Sequence, residues 1–179
     1  HDEAVTARAQ EIRDELAALN IRVHLDCRTE LTPGFKFNEW EVKGVPVRLE
    51  LGPKDVAAQH VVLVRRDSGE KATVGWDTLA QTAQDLLESI QKSLFDRAKQ
   101  FQQKQIFPAA TYDEFKTIVE SKLGFVEVVW CGDESELGPI KEETKATSRV
   151  LPFDQGTPGG KCFYCGKAGK RRIYFAKAY

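Results

Sequence analysis

Apolar residues recur along this chain with two different periods, and this alternation restricts the possible folds more than any other feature. A helical period near the amino terminus predicts a helix with a buried stripe made of Val5, Ala9, Ile12, Leu16 and Leu19. Alternating apolar and polar residues predict half-buried strands at 21–25 and 45–51, and an apolar run predicts a buried strand at 61–64. A long second helix is predicted from Asp77. Helices that alternate with strands are typical of an α/β layer with a mixed sheet.

A second region is indicated after Pro108, where the composition changes. Thr111 and Glu114 have the spacing of a capping box, which predicts the start of another helix. Three further strands are predicted near residues 125–130, 148–153 and 173–176. The sequence therefore predicts two domains, an α/β domain over residues 1–105 and a small α+β domain over residues 106–179.

Composition narrows the class of protein further. The formal net charge of −1 over 179 residues argues against a general nucleic-acid binder, which needs a large excess of Lys and Arg. The apolar runs are much shorter than the roughly 20 residues of a membrane helix, and no signal peptide is apparent. We therefore expect no membrane association and a cytoplasmic location. A chain that starts at His1 and contains no methionine is interpreted as a fragment.

The stretch from Gly34 to Asp55, interpreted as a loop followed by a strand, combines aromatic rings with balanced charge. Five basic and five acidic residues lie between Arg28 and Asp55. Such a segment offers no net attraction for phosphate, but it offers stacking surfaces, donors and acceptors that can read unpaired bases. Phe35 and Trp40 are left out of the candidate site, because aromatic residues beside Gly and Val belong to a core just as often.

This segment and several later motifs resemble prolyl-tRNA synthetases of the eukaryote-like and archaeal-like type. The later motifs are Lys141-Glu-Glu-Thr144, Ala146-Thr-Ser-Arg149, Pro152-Phe153, Cys162-Phe-Tyr-Cys-Gly-Lys167 and Tyr174-Phe-Ala-Lys-Ala-Tyr179. The resemblance implies a class II anticodon-binding domain followed by a C-terminal domain peculiar to this type. It places the anticodon contacts on Phe37, Glu41, Arg48, Lys54 and Asp55.

The resemblance also implies a parent enzyme that attaches proline to tRNA(Pro) with ATP and Mg²⁺ and forms a homodimer. Its catalytic domain would lie upstream in the same polypeptide. No Gly-rich phosphate loop or Ser/His/Asp arrangement is found in this sequence, so the fragment is expected to be inactive alone. The first strand of the anticodon-binding domain is also expected to be missing.

The chemistry of the five residues suits guanine, and proline anticodons end in two guanines. Carboxylates such as Glu41 and Asp55 can accept from guanine N1–H and N2–H₂, while Arg48 and Lys54 can donate to O6 and N7. Phe37 can stack on a splayed base. The alternative is structural, because Arg and Glu on an exposed strand often form a cross-strand ion pair.

The cysteines indicate a second candidate site. Cys162-x-x-Cys165 forms a tight turn of the zinc-knuckle kind, and Cys131 can supply a third thiolate. The family pattern has another cysteine five residues after Cys131, where this chain has Glu136. A carboxylate from Asp133, Glu134 or Glu136, or a water, could complete a zinc site. A turn that retains cysteines without binding zinc is the alternative.

Two other functions remain open at this point. One is a stand-alone RNA-binding or regulatory protein that has no ligase activity. The other is a small α/β domain whose charged strand face binds no RNA.

Overall fold

The computed structural model describes residues 2–156 and 158–177. The chain divides into two compact units, His1–Arg97 and Ala98–Tyr179. In the described part of the chain, no helix is both long and apolar enough to cross a lipid bilayer. The terminal Tyr179, which belongs to one of the matching motifs, lies outside the described residues.

The first unit packs helices against a small sheet. Its elements are α1 (Glu3–Ala18), α2 (Pro33–Val42), β1 (Val47–Glu50), α3 (Pro53–Ala57), β2 (His60–Arg65), β3 (Lys71–Gly75) and α4 (Trp76–Lys104), which continues into the second unit. The strands form an antiparallel sheet in the order β1-β2-β3. Val61 and Leu63 of the central strand pack with Ile12 and Leu16 of α1 and with Leu79 of α4. The predicted helices α1 and α4 and the predicted strands β1 and β2 are confirmed.

The segment predicted to be a loop before β1 is instead the helix α2. Thr32 is its N-cap and accepts a hydrogen bond from the Phe35 backbone N–H at 3.4 Å. Pro33 occupies the first turn, where a helix does not need the missing N–H and where the fixed φ of proline is favourable. Thr-Pro-Gly therefore begins a helix here, although the same residues are typical of turns.

The strand predicted at residues 21–25 is not formed in the described chain. These residues have no regular secondary structure, although Ile21 and Val23 do pack against the core of the first unit. Alternation of apolar and polar residues indicates only that one side of a segment is buried. A strand also requires a hydrogen-bonded neighbour, and the described residues provide none here.

The predicted fold class, α/β with a mixed sheet and flanking helices, is confirmed, but the mixed sheet lies in the second unit. The described strands of the first unit, for which the mixed sheet was predicted, pair only antiparallel, because alternation within a strand does not specify the direction of its neighbour. The elements of the second unit are β4 (Ile106–Ala109), α5 (Tyr112–Ser121), β5 (Phe125–Trp130), a 3-10 turn (Glu134–Glu136), α6 (Leu137–Thr144), β6 (Ala146–Val150) and β7 (Arg171–Lys177). The strand order is β4-β5-β7-β6, in which β4 and β5 are parallel and the other pairs are antiparallel.

Two elements of the second unit were not predicted. Strand β4 contains Pro108, which a strand tolerates at the edge of a sheet, and β4 lies at that edge. Helix α6 contains Gly138 and Pro139 in its first turn, where a missing N–H costs no helical hydrogen bond. The predicted boundary between residues 105 and 106 stays a prediction, because the two compact units divide between Arg97 and Ala98, which is within α4.

An aromatic cluster forms the core of the second unit. The rings of Phe115, Phe163 and Phe175 have centroids 5.0 to 5.6 Å apart and are tilted or edge-on to one another. All three residues are at most 4% exposed. Burying a phenylalanine side chain stabilises a fold by about 1.5–3 kcal/mol, so this cluster ties α5 and β7 to the loop that carries Phe163.

Candidate nucleic-acid interface and metal centre

The five residues predicted to contact an anticodon lie on three elements, not on one extended segment. Phe37 and Glu41 are four residues apart on α2, so they share one face of that helix. Arg48 lies on β1, and Lys54 and Asp55 lie on the short helix α3 that follows. The prediction of a single loop and strand was wrong, because α2 supplies two of the five side chains.

Three of the five residues meet at Arg48, and Glu50 joins them to form what we call the Arg48 cluster. The Arg48 guanidinium carbon lies 4.1 Å from the centroid of the Phe37 ring. Arg48 Nη1 donates to Glu41 Oε1 at 2.5 Å, and Nε donates to Glu50 Oε1 at 2.9 Å. The side chain of Glu41 is 45% exposed and that of Arg48 is 19% exposed. Ion pairs of this exposure contribute little stability, so their partners can be exchanged at low cost.

Lys54 and Asp55 are not bonded to the Arg48 cluster in the described part of the chain. Asp55 Oδ2 accepts from the Gly52 backbone N–H at 2.8 Å, which caps α3. Its other oxygen, Oδ1, lies 2.9 Å from Nε2 of His60. Lys54 is exposed, and the described residues give its ammonium no hydrogen-bonding partner. Asp55 thus has a structural role that the sequence did not reveal.

A shallow depression next to the Arg48 cluster contains residues that sequence reasoning missed. Its lining comprises Phe37, Trp40, Glu41, Val45, Arg48, Val64 and Arg66. Arg66 follows β2, and its backbone N–H donates to the Pro46 carbonyl at 3.0 Å. This bond holds Arg66 beside the residues that lead into β1. Arg48 pairs with Val64, and Arg66 is two residues after Val64, so the two lie on the same face. A prediction that these two strands pair in this register could have indicated Arg66.

A polar network fixes α2 in place beneath this surface. Asp26 accepts from Arg28 at 2.6 and 2.9 Å and from the Trp40 indole N–H at 2.9 Å, and Arg28 also reaches Glu39 at 2.7 Å. The hydrogen bonds from Arg28 hold the pKa of Asp26 well below its usual range, with a further contribution from Trp40. Trp40 is therefore anchored through its indole, while its ring lines the depression. This network positions the helix that carries Phe37 and Glu41.

The cysteines meet in a separate cluster in the second unit, which we call the cysteine–glutamate cluster. Its members Cys131, Glu136, Cys162 and Cys165 have ligand atoms that all lie within 4.8 Å of one another. The Cys165 and Cys131 sulfurs are 3.8 Å apart, and Glu136 Oε2 is 3.4 Å from Cys131 Sγ and 3.5 Å from Cys162 Sγ. The fourth group is thus the carboxylate at the position of the family cysteine. Cys27, in the first unit, is not part of it.

These distances suit a tetrahedral metal ion. With metal–sulfur bonds of about 2.3 Å, ligand sulfurs at tetrahedral angles are about 3.8 Å apart. The pKa of the Cys131 thiol is raised mainly by burial, and the nearby Glu136 carboxylate raises the pKa of Cys165 to about 12. Both effects disfavour thiolate at neutral pH when no cation is present. The group of donors could hold a metal ion, which would replace the thiol protons.

The two segments of the chain that carry the Arg48 cluster and the cysteine–glutamate cluster match known protein families. Residues 1–86 match the model of an anticodon binding domain, which defines the class: a protein with a tRNA-anticodon-binding fold. Residues 112–179 match the model "Prolyl-tRNA synthetase, C-terminal". The chain is thus similar to prolyl-tRNA synthetases, and it matches their C-terminal part.

Curated relatives align with the whole chain. A proline–tRNA ligase of Alkaliphilus oremlandii is 43% identical over 179 residues, which is 100% of this chain and 37% of the relative. Similar enzymes of Ruminiclostridium cellulolyticum and Clostridium botulinum are 42% and 40% identical over the same shares of each chain. The chain therefore spans 37% of the length of these relatives.

Proposed function

We propose that this chain reads the anticodon of a proline tRNA as the C-terminal part of a prolyl-tRNA synthetase. The family matches support the class of function, and one structural observation carries the mechanism. Arg48 is stacked on Phe37 and bonded to Glu41, so a donor, an acceptor and a flat ring lie together on a partly exposed surface. These are the groups that a splayed guanine requires.

In this mechanism guanine replaces the internal ion pair. Glu41 turns from Arg48 to accept from guanine N1–H and N2–H₂, and Arg48 donates to O6 and N7 of a guanine. Because guanine presents these donors on one edge and the acceptors on another, every hydrogen bond lost between the two side chains is replaced. Phe37 offers a stacking surface worth about 1–3 kcal/mol per base.

The other predicted contacts act around this centre. Lys54 has an exposed ammonium, which suits a base edge or a neighbouring phosphate. Asp55 reads a base by exchanging its contact with His60, while its bond to the Gly52 N–H keeps the carboxylate oriented. Arg66 is exposed at the same depression and adds a phosphate contact.

Titration of anticodon stem-loops tests this proposal. We expect Arg48→Ala to reduce the preference for guanine over adenine at the two anticodon positions by about 1–3 kcal/mol. Arg66→Ala is the matched control. It should weaken binding to all stem-loops alike and reduce the salt dependence of binding. Equal affinity of the unaltered chain for guanine and adenine stem-loops would reject base reading.

The parent enzyme's activity is a further part of the proposal. The complete polypeptide attaches proline to tRNA(Pro) with ATP and Mg²⁺ through a catalytic domain upstream of these residues, as a cytoplasmic homodimer. This part of the chain supplies recognition and no chemistry of its own. Proline-dependent exchange of pyrophosphate into ATP, measured on the isolated chain, should be absent, and measurable exchange would contradict this assignment.

We also propose that the cysteine–glutamate cluster binds zinc. Cys131, Cys162, Cys165 and Glu136 would hold the ion, and its chemistry there is structural, because four protein ligands leave no open position. The support is the short distances among the ligand atoms and the mixture of thiols and a carboxylate. Elemental analysis of protein purified without chelators should find zinc at one equivalent per chain.

A further inference from the structure

Glu136 is a buried carboxylate for which the described residues supply no counter-cation. Only 6% of the residue is exposed. Its carboxylate contacts are the indole of Trp130 and the sulfurs of the cluster, and within the described residues it forms no ion pair with Lys, Arg or His. Buried carboxylates are normally paired or bound to a metal ion. A cation held at the cysteines would supply the charged partner that the described residues do not.

We propose that Trp130 positions Glu136 as the fourth ligand of the Cys₃Glu metal site, an inference that rests on the zinc binding proposed above. The Trp130 indole N–H donates to Glu136 Oε2 at 3.0 Å. The same oxygen lies 3.4 and 3.5 Å from the sulfurs of Cys131 and Cys162. One hydrogen bond thus directs one carboxylate oxygen to the point where the thiols converge.

The chain path explains why Glu136, and not a neighbouring acid, reaches the cluster. Asp133 caps the 3-10 turn by accepting from Ser135 at 2.6 and 3.2 Å, and it pairs with Lys167 at 3.4 Å. Glu134 is exposed. The capped turn carries residue 136 back beneath the end of β5, where Trp130 is 5% exposed. Of the three acids that the sequence offered, only this one points inward.

The exchange of cysteine for glutamate preserves charge and changes the chemical preference. Three thiolates and a carboxylate carry the same formal charge as four thiolates, so the net charge of a zinc site would be unchanged. A carboxylate oxygen is a harder ligand than sulfur, which should reduce the preference for thiophilic metals such as Cd²⁺. Hydrogen bonds to a ligating group orient it, and their removal typically costs 10–100-fold in metal affinity.

Zinc affinity of the full chain, reduced and stripped of metal, provides the test through competition with a chromophoric chelator. We expect Trp130→Phe to weaken zinc binding about tenfold or more and Glu136→Gln to weaken it further. Two variants are matched controls: Glu134→Gln removes an exposed acid, and Trp76→Phe removes an indole N–H for which residues 2–156 and 158–177 provide no hydrogen-bonding partner. Both should bind zinc like the unaltered chain. In Glu136→Cys the ratio of Cd²⁺ to Zn²⁺ affinity should rise.

The outcomes separate the ligand, the positioning residue and the underlying zinc binding. X-ray absorption at the zinc edge should give three sulfurs and one oxygen in the unaltered chain and four sulfurs in Glu136→Cys. Zinc binding by Glu136→Gln that equals the unaltered chain would overturn the role of Glu136. A chain that binds no zinc at all would instead reject the zinc proposal itself.

Trp130 needs a readout that a purely structural role would not affect. Trp130→Phe should cost no further affinity once Glu136→Gln is present, and equal costs in both backgrounds would overturn the positioning role. Because Trp130 is part of the core, the substitution could prevent folding. The indole ¹H–¹⁵N resonance of Trp130 provides a second test that does not need this variant. The resonance should shift when zinc is added to the unaltered chain, and it should not shift in Glu136→Gln. No shift in the unaltered chain would also refute positioning.

Discussion

The Arg48 cluster and the cysteine–glutamate cluster both gather charged or ionisable groups around one point, but they differ in exposure. In the Arg48 cluster the Glu41 side chain is 45% exposed, and the ion pairs are in contact with water. In the cysteine–glutamate cluster Glu136 is 6% exposed and Cys162 is 3% exposed. Pairs near water exchange partners at little cost, whereas buried groups need their partners permanently.

This difference separates recognition from structure. The proposed base-reading surface would have to release its internal bonds each time RNA binds, and its pair between α2 and β1 is partly exposed to solvent. A cluster that holds a fold together gains from burial, because low solvent access strengthens each interaction. Substitutions should therefore change stability at one place and RNA discrimination at the other, and the following experiments test that division.

Phe115→Ala should cause the largest change in stability. Phe115 is fully buried between Phe163 and Phe175, and removing such a ring costs about 3–5 kcal/mol through lost burial and the cavity left behind. Denaturant unfolding followed by circular dichroism measures this. Phe37→Ala is the matched control, because that ring is only half-buried, and it should lose RNA affinity with a much smaller loss of stability. Equal destabilisation by both would break the proposed division.

Asp26→Asn should have an intermediate effect, because it removes the acceptor that anchors α2. We expect a loss of about 1–3 kcal/mol, since the Trp40 N–H and Arg28 lose a charged partner. The pKa of Asp26 is lowered in the folded state, so its contribution is present above the unfolded value of about 3.9 and is lost as pH falls below it.

The pH dependence makes that prediction specific. The difference in unfolding free energy between the unaltered chain and Asp26→Asn should be largest near neutral pH and shrink below about pH 4. The groups that face Asp26 are Arg28, Lys36 and Trp40. A difference that stays constant down to pH 2 would show that the charge of Asp26 does not stabilise the fold.

Local sequence patterns were sufficient to predict an element where the pattern is regular or where a capping box marks the start of a helix. Strand β5 has the predicted bounds, because its alternation is regular and its inward residues are all buried. Helix α5 begins at the predicted capping box, in which Thr111 and Glu114 bond each other's backbone. In both segments, a local sequence pattern was enough to predict the element, although β5 also depends on its pairing with β4 and β7.

The sequence was insufficient to predict structure where contacts with residues distant in the chain determine the conformation. Residues 21–25 alternate like a strand, but the described residues contain no pairing partner for them, and alternation carries no information about partners. The site shows the same limit. Sequence matching named Phe37, Glu41 and Arg48, but their contacts depend on α2 folding beside β1. Glu136 could not be distinguished from Asp133 and Glu134, because only the capped turn selects it.

Glu41→Gln should produce the smallest change in stability and the sharpest test of the comparison. The exposed pair with Arg48 contributes only about 0.2–1 kcal/mol, so unfolding should hardly change. The preference for guanine should nevertheless fall, because an amide cannot accept from N1–H and N2–H₂ as a carboxylate does. Asp96→Asn removes an exposed pair with Lys92 and serves as the control. If both variants alter stem-loop selectivity equally, the Arg48 cluster has no special role. A loss of selectivity confined to Glu41→Gln assigns guanine recognition to the Glu41 carboxylate, whose ion pair contributes little to the stability of the fold.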